Sequence, residues 1–147
     1  MIVYTIGFGR KNAEQFFSLL KKNQISLLVD IRLNNRSQLA GYTKDGDIQY
    51  FLKEICGIAY SHDLDFAPTK ELLSGYQAKK ISWSEYVETY TRIIRERGTY
   101  KQFVDRYSEH ERVCLLCSEP KPDMCHRRIL AEMIAEEAGD AVQIVHL

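Results

Sequence analysis

Two tripeptides near the C-terminus hold the most reactive side chains of the chain, Cys117-Ser118-Glu119 and Cys125-His126-Arg127. A cysteine becomes nucleophilic as its thiolate, which a helix N-terminus, an Arg or a His favours. A nearby imidazole or carboxylate can then move protons. The spacing therefore points to Cys117 as a nucleophile, with Glu119 and His126 as proton carriers. The competing reading is packing, because free cysteines are among the most buried and inert residues. Zinc is a third possibility for Cys114, Cys117, Cys125 and His126. The spacing C-x2-C-x7-C-H is a poor match to zinc fingers and ribbons. Adjacent Cys125 and His126 would also have to face one ion from the first turn of a helix. Cys114, inside an apolar strand, is expected in the core. No metal or other cofactor is expected, and zinc at Cys117, Cys125 and His126 is disfavoured.

A second cluster begins at Asp30, the last residue of the run Ser26-Leu27-Leu28-Val29-Asp30. A carboxylate there is costly unless paired. An ion pair to Arg32 or Arg127 would hold loops together; alternatively Asp30 is a general base or orients a catalytic group. Arg32, Arg36, Arg127 and Arg128 could converge on a phosphate or carboxylate through their planar forks. The start of the last helix would add free N–H groups and a positive dipole end. Taken singly, Arg36 and Arg128 read as solvated surface.

The elements that position these residues alternate between strand and helix. Ile2 to Ile6 is a β-rich run followed by Gly7-Phe8-Gly9. Asn12 and Gln15 form a capping box, opening a helix with Ala13, Phe16, Phe17 and Leu20 on one face. Ser26 to Ile31 reads as a strand buried on both sides. After a polar loop from Asn34 to Gly46, Asp47 caps a helix that Gly57 ends. Ile58 to His62 is a weaker strand, and Thr69 to Lys80 a short helix. Ser82 and Glu85 open a helix with Trp83, Tyr86, Val87, Tyr90 and Ile94 on one face, ending at Gly98. Thr99 and Gln102 open the next. Arg112 to Cys117 is the clearest strand. Asp123 caps a last helix that ends at Gly139, and Ala141 to Val145 is a final strand. This order implies a Rossmann-like, three-layer α/β/α fold with a mostly parallel sheet of about five strands. The aromatic positions at helical spacing read as packing. His62 could join the site or cap the strand end, the second being favoured, and Cys56 is expected in the core.

In open α/β sheets, ligands bind beyond the carboxyl ends of the strands. Gly7, Asp30, Arg32, His62, Cys117, Glu119 and the start of the last helix all fall at that edge. Their coincidence there argues for one site. The catalytic set is Cys117, Glu119, His126 and Asp30; the set expected to hold an anion is Gly7, Arg32, Ser37, Cys125 and Arg127.

The whole chain sets bounds. Its 147 residues suit one α/β domain over 1–147. Twenty Lys and Arg balance twenty Asp and Glu, which argues against broad nucleic-acid binding and leaves room for a local basic pocket. The N-terminus lacks a signal-peptide pattern, and no apolar run approaches the roughly 20 residues of a membrane span. The four cysteines then read as free thiols in a reducing, cytoplasmic setting.

Thr5-Ile6-Gly7, Val29-Asp30-Ile31-Arg32 with Ser37 downstream, Cys117-Ser118-Glu119 and Cys125-His126-Arg127 together resemble the family catalogued as domain of unknown function 488. The resemblance implies a single α/β domain and functional weight on Asp30, Arg32, Cys117, Glu119, Cys125, His126 and Arg127. It implies no particular reaction. This chain departs from the pattern at Phe8, where the family often has His, and at Leu33-Asn34-Asn35-Arg36-Ser37, where it often has Pro-x-Ser.

The resulting expectation is an enzyme acting on a small anionic substrate that contains phosphate, with a nucleotide or a nucleic-acid end among the candidates. The alternative is a binding module for the same ligands without chemistry.

Overall fold

The computed structural model describes residues 1–37, 40–119 and 122–147. Five strands form one parallel sheet: β1 Ile2–Gly7, β2 Leu27–Asp30, β3 Ala59–His62, β4 Arg112–Cys117 and β5 Gln143–His146. Their spatial order is β3-β2-β4-β1-β5. Six α-helical segments connect them: α1 Ala13–Lys22, α2 Asp47–Phe51, α3 Lys70–Gln77, α4 Trp83–Arg97, α5 Phe103–Arg106 and α6 His126–Ala138. The fold is the expected three-layer α/β/α arrangement. No described helix is long and apolar enough to cross a membrane.

Alternation along the strands divides the core in two. On one face Tyr4, Ile6, Leu28, Cys114 and Leu116 meet Phe16, Phe17 and Leu20 of α1 and Ile48 of α2. On the other, Val3, Val29, Val113 and Leu115 meet Leu72 of α3, Tyr86, Tyr90 and Ile94 of α4, and the apolar side of α6. The connections after β1 and β2 thus cover one face, and those after β3 and β4 cover the other. Neighbouring β1 and β4 are continued on opposite faces, which makes their carboxyl ends the switch point where such sheets place ligands.

Local signals explain most element ends. Asn12 caps α1 with a full capping box; Ser82 accepts from the Glu85 N–H to start α4; Gly57 and Gly98 end helices at left-handed φ of 66° and 70°. After α2 the chain widens into a π-helical turn, Leu52–Cys56. Three expected caps are corrected. Thr99 and Gln102 do not form a capping box, because Gly98 reverses the chain straight into a 3-10 turn, Thr99–Gln102, that leads to α5. Asp123 lies in another 3-10 turn, Pro122–Met124, and the residue flanking α6 is Cys125 in extended backbone. Asp47 is the first residue of α2, with Gly46 in the cap position.

Candidate active site

The β4 end and the α6 start bring Cys117, Cys125 and His126 together. All three are buried, and their two sulfurs and a ring nitrogen lie within 4.8 Å of one another. Cys125 is extended (φ −137°, ψ 140°) while His126 begins the helix. The bend between them turns both side chains to one point, which the adjacent spacing alone had made improbable. The Nδ1 of His126 lies 3.5 Å from Cys117 Sγ. Its Nε2 lies 3.0 Å from the carbonyl oxygen of Ile31. A carbonyl only accepts, so Nε2 carries a proton, and Nδ1 faces the thiol as its acceptor. The edge of the ring also meets Tyr90, with centroids 5.3 Å apart.

Burial by itself pushes the Cys117 thiol up. The hydrogen bond from Cys125 and the charges of His126 and Arg127 outweigh it and hold Cys117 well below the usual thiol range. The partners move the other way. Burial, then the hydrogen bond to Cys117 and the Cys117 charge, push Cys125 well up. Burial disfavours the His126 imidazolium, but the Cys117 charge more than compensates and raises it. These directions favour a shift of the Cys117 proton toward His126, with Cys125 keeping its own. The positive end of α6 adds to the same bias. Cys114 points to the opposite face, where burial raises its thiol, and half-buried Cys56 lies beside Phe17.

Cys117, Cys125 and His126 also border a cavity of about 270 Å³, with Tyr76, Trp83 and Tyr86 along its wall and Ser118 and Glu119 at its edge. Trp83 and Tyr86 are stacked, with centroids 5.2 Å apart. The sequence reading assigned these aromatics to packing. Tyr86 and Tyr90 are indeed buried, but Trp83 and Tyr86 also face the cavity, and the helical period gave no sign of what lay opposite them.

Arg127, a fully buried side chain, donates Nη1 to the carbonyl oxygen of Glu119. It thereby anchors the turn after Cys117 from beneath. Gly7 pairs with Cys117 across the sheet. A Cβ at Gly7 would lie 1.5 Å from the Glu119 carbonyl oxygen and 2.5 Å from Arg127 Nη1. Gly7 is therefore a place of close backbone approach rather than unusual φ. The Gly9 N–H donates to the Ser118 carbonyl, 2.9 Å, extending the pairing past the strand ends.

Asp30 and Arg32 sit at the same sheet edge on the other face. Asp30 pairs with Leu116, so its side chain shares the face of Leu116 and not that of Cys117. It is fully buried and accepts from Arg32 Nε (2.8 Å), Arg32 Nη2 (2.7 Å), the Arg32 N–H (3.1 Å) and the Tyr60 hydroxyl (2.7 Å). Arg32 also donates to the Thr43 hydroxyl and carbonyl and lies over the Phe8 ring at 5.3 Å. Burial disfavours its charge, yet the Asp30 carboxylate holds its pKa above the ordinary value. Its guanidinium is thus committed within the protein. His62 donates Nε2–H to the Arg32 carbonyl, 2.7 Å, and accepts from Asn35, bracing this loop.

The four arginines do not converge. Arg36 is exposed beside Asp45, and Arg128 pairs with Glu132 one helical turn on. Ser37 is exposed in the loop after Arg32. Glu119 is exposed and lines the cavity. The two clusters meet at Ile31, whose carbonyl holds His126 and whose neighbours in the chain are Asp30 and Arg32.

Cys117, Cys125 and His126 are a set of soft-metal ligand types that could hold such a cation.

No curated protein and no solved structure matches this chain. A family model does match, over residues 12–134, which span both tripeptides and the Asp30–Arg32 segment. The chain belongs to the family described as domain of unknown function DUF488.

Proposed function

We propose that this protein is an enzyme whose reacting atom is the Cys117 sulfur, acting on a small substrate admitted to the cavity beside it. The observation that carries this reading is the His126 ring held at both nitrogens, Nε2 on the Ile31 carbonyl and Nδ1 toward Cys117. A base aligned by a third group and directed at a nucleophile is the arrangement nucleophilic catalysis requires. His126 exchanges a proton with the thiol and the leaving group, and Glu119 serves as a second proton carrier at the cavity edge. Asp30 and Arg32 are positioning residues, which fix the segment that presents the Ile31 carbonyl.

The site favours a substrate with a flat or apolar body against Tyr76, Trp83 and Tyr86. Negative charge is limited to a small group at the α6 start. No Arg or Lys is among the described residues lining the cavity, so the phosphate-containing substrate expected from converging arginines loses its main support. The alternative, a nucleic-acid binding module, has one feature in its favour. A separate open groove of about 510 Å³ is bordered by Arg10, Lys11 and Lys22. It shares no lining residue with the thiol cavity, so it does not account for the Cys117 arrangement.

The test is iodoacetamide labelling of the native protein near neutral pH, mapped by mass spectrometry, alongside metal analysis of protein purified without chelator. Cys117 is expected to react first, in protein without stoichiometric metal. Equally slow labelling at all four cysteines, or one equivalent of zinc, would overturn the reading.

A further inference from the structure

We propose that Cys117 and Cys125 work as a dithiol pair that reduces a small, uncharged disulfide, passing through an internal Cys117–Cys125 disulfide. This rests on the reading of Cys117 as the nucleophile and adds a second reacting atom. Its support is geometric. The two sulfurs lie in the same cluster of three atoms within 4.8 Å. A disulfide needs them about 2 Å apart, and Cys125 is the extended residue that flanks α6, so a change of its side-chain rotamer moves the sulfur without unwinding the helix. Cys114, on the opposite face of the sheet, and Cys56, against α1, are placed where neither can compete for the pairing. The cavity wall of Tyr76, Trp83 and Tyr86 suits the apolar body of a small disulfide.

The steps balance as follows. The Cys117 thiolate attacks one sulfur of R–S–S–R, forming a mixed disulfide and expelling R–S⁻, which takes the proton from His126. Neutral His126 then accepts the Cys125 proton. The Cys125 thiolate attacks Cys117 Sγ, closing the internal disulfide and expelling the second R–S⁻, which is protonated in turn. Two protein thiols are oxidised and one disulfide is reduced to two thiols. A second dithiol resets the pair by the same exchange in reverse.

The experiment treats the full chain with bis(2-hydroxyethyl) disulfide and reads intact mass and peptide maps. Wild type is expected to lose two hydrogens, retain no adduct and yield a peptide linking Cys117 to Cys125. Cys125→Ser is expected to stop at one mercaptoethanol adduct on Cys117, and Cys117→Ser to give neither product. Wild type that stops at a lasting adduct on Cys117 would overturn the dithiol pair and leave the nucleophile intact. No reaction, with slow iodoacetamide labelling of Cys117, would overturn both.

Discussion

His126 and Ile31 are joined by a 3.0 Å hydrogen bond from Nε2 to the carbonyl oxygen, and this contact couples two polar clusters that lie on opposite faces of the sheet. On one face is the Asp30–Arg32–Tyr60 network, on the other the Cys117–Cys125–His126 group. Ile31 stands between Asp30 and Arg32 in the chain, so whatever fixes that segment also fixes the ring facing Cys117.

Breaking the ion pair should therefore act at two levels. Asp30→Asn leaves Arg32 buried without its carboxylate, a change expected to cost about 3–5 kcal/mol. Tyr60→Phe removes one hydrogen bond to a charged group and should cost about 1.5–3 kcal/mol. Urea denaturation measures both. If the network only holds loops, Tyr60→Phe will leave the rate of Cys117 labelling unchanged; if it positions His126, that rate will fall while the protein stays folded.

Gly7→Ala places a methyl group against backbone, at the Glu119 carbonyl, where no side-chain rotation can relieve it. Overpacking of this kind costs roughly 1–3 kcal/mol. The turn anchored by Arg127 should shift with it. Thermal or urea unfolding reads the stability, and slower Cys117 labelling reads the displaced turn. A neutral outcome in both would mean that the β1 and β4 ends are not as close as described.

Trp83 is the single tryptophan of the chain, and it borders the cavity. Its emission should report on occupancy of that space. Modification of Cys117 by a bulky maleimide is expected to change Trp83 fluorescence. In Cys117→Ser, with Cys56 the accessible thiol, the same reagent should change it little, because Cys56 lies against Phe17 on the other face. Equal changes in the two proteins would separate Trp83 from the site.

The alternating order of strands and helices, the capping residues Asn12 and Ser82, and the glycines at 57 and 98 were readable because each is a local signal in backbone geometry. So was the carboxyl edge as the place where reactive residues gather. The division of that edge between faces was not. Whether Asp30 and Cys117 share a face depends on the β2–β4 register, which pairs Asp30 with Leu116. Register is a property of two strands more than eighty residues apart in the chain. The Asp30–Arg32 ion pair was one of the two pairings the sequence offered, and it is present; the two further contacts that commit Arg32 to Thr43 come from the fold of the loop, not from spacing. Asp123 resembled a cap because Asp commonly caps, but the 3-10 turn before Cys125 takes up that segment first. Cys125 and His126 met at one point because the helix begins between them, and a boundary error of two residues was enough to obscure it.

The central claim is that Cys117 is kept as a thiolate by His126, and the pH dependence of its alkylation tests this most directly. The sign follows from the shifts. A thiol held below its usual range keeps its charge as pH falls, and an imidazole held above its usual range keeps its proton as pH rises. The groups acting on Cys117 are Cys125, His126 and Arg127, with Arg32, Tyr86 and Tyr90 close enough to respond to its charge. In wild type the Cys117 rate should stay level through neutral pH. In His126→Asn it should fall about tenfold per pH unit below the ordinary thiol value of about 8.5. A wild-type rate that itself falls in this way, or that does not differ from the variant, would contradict the account.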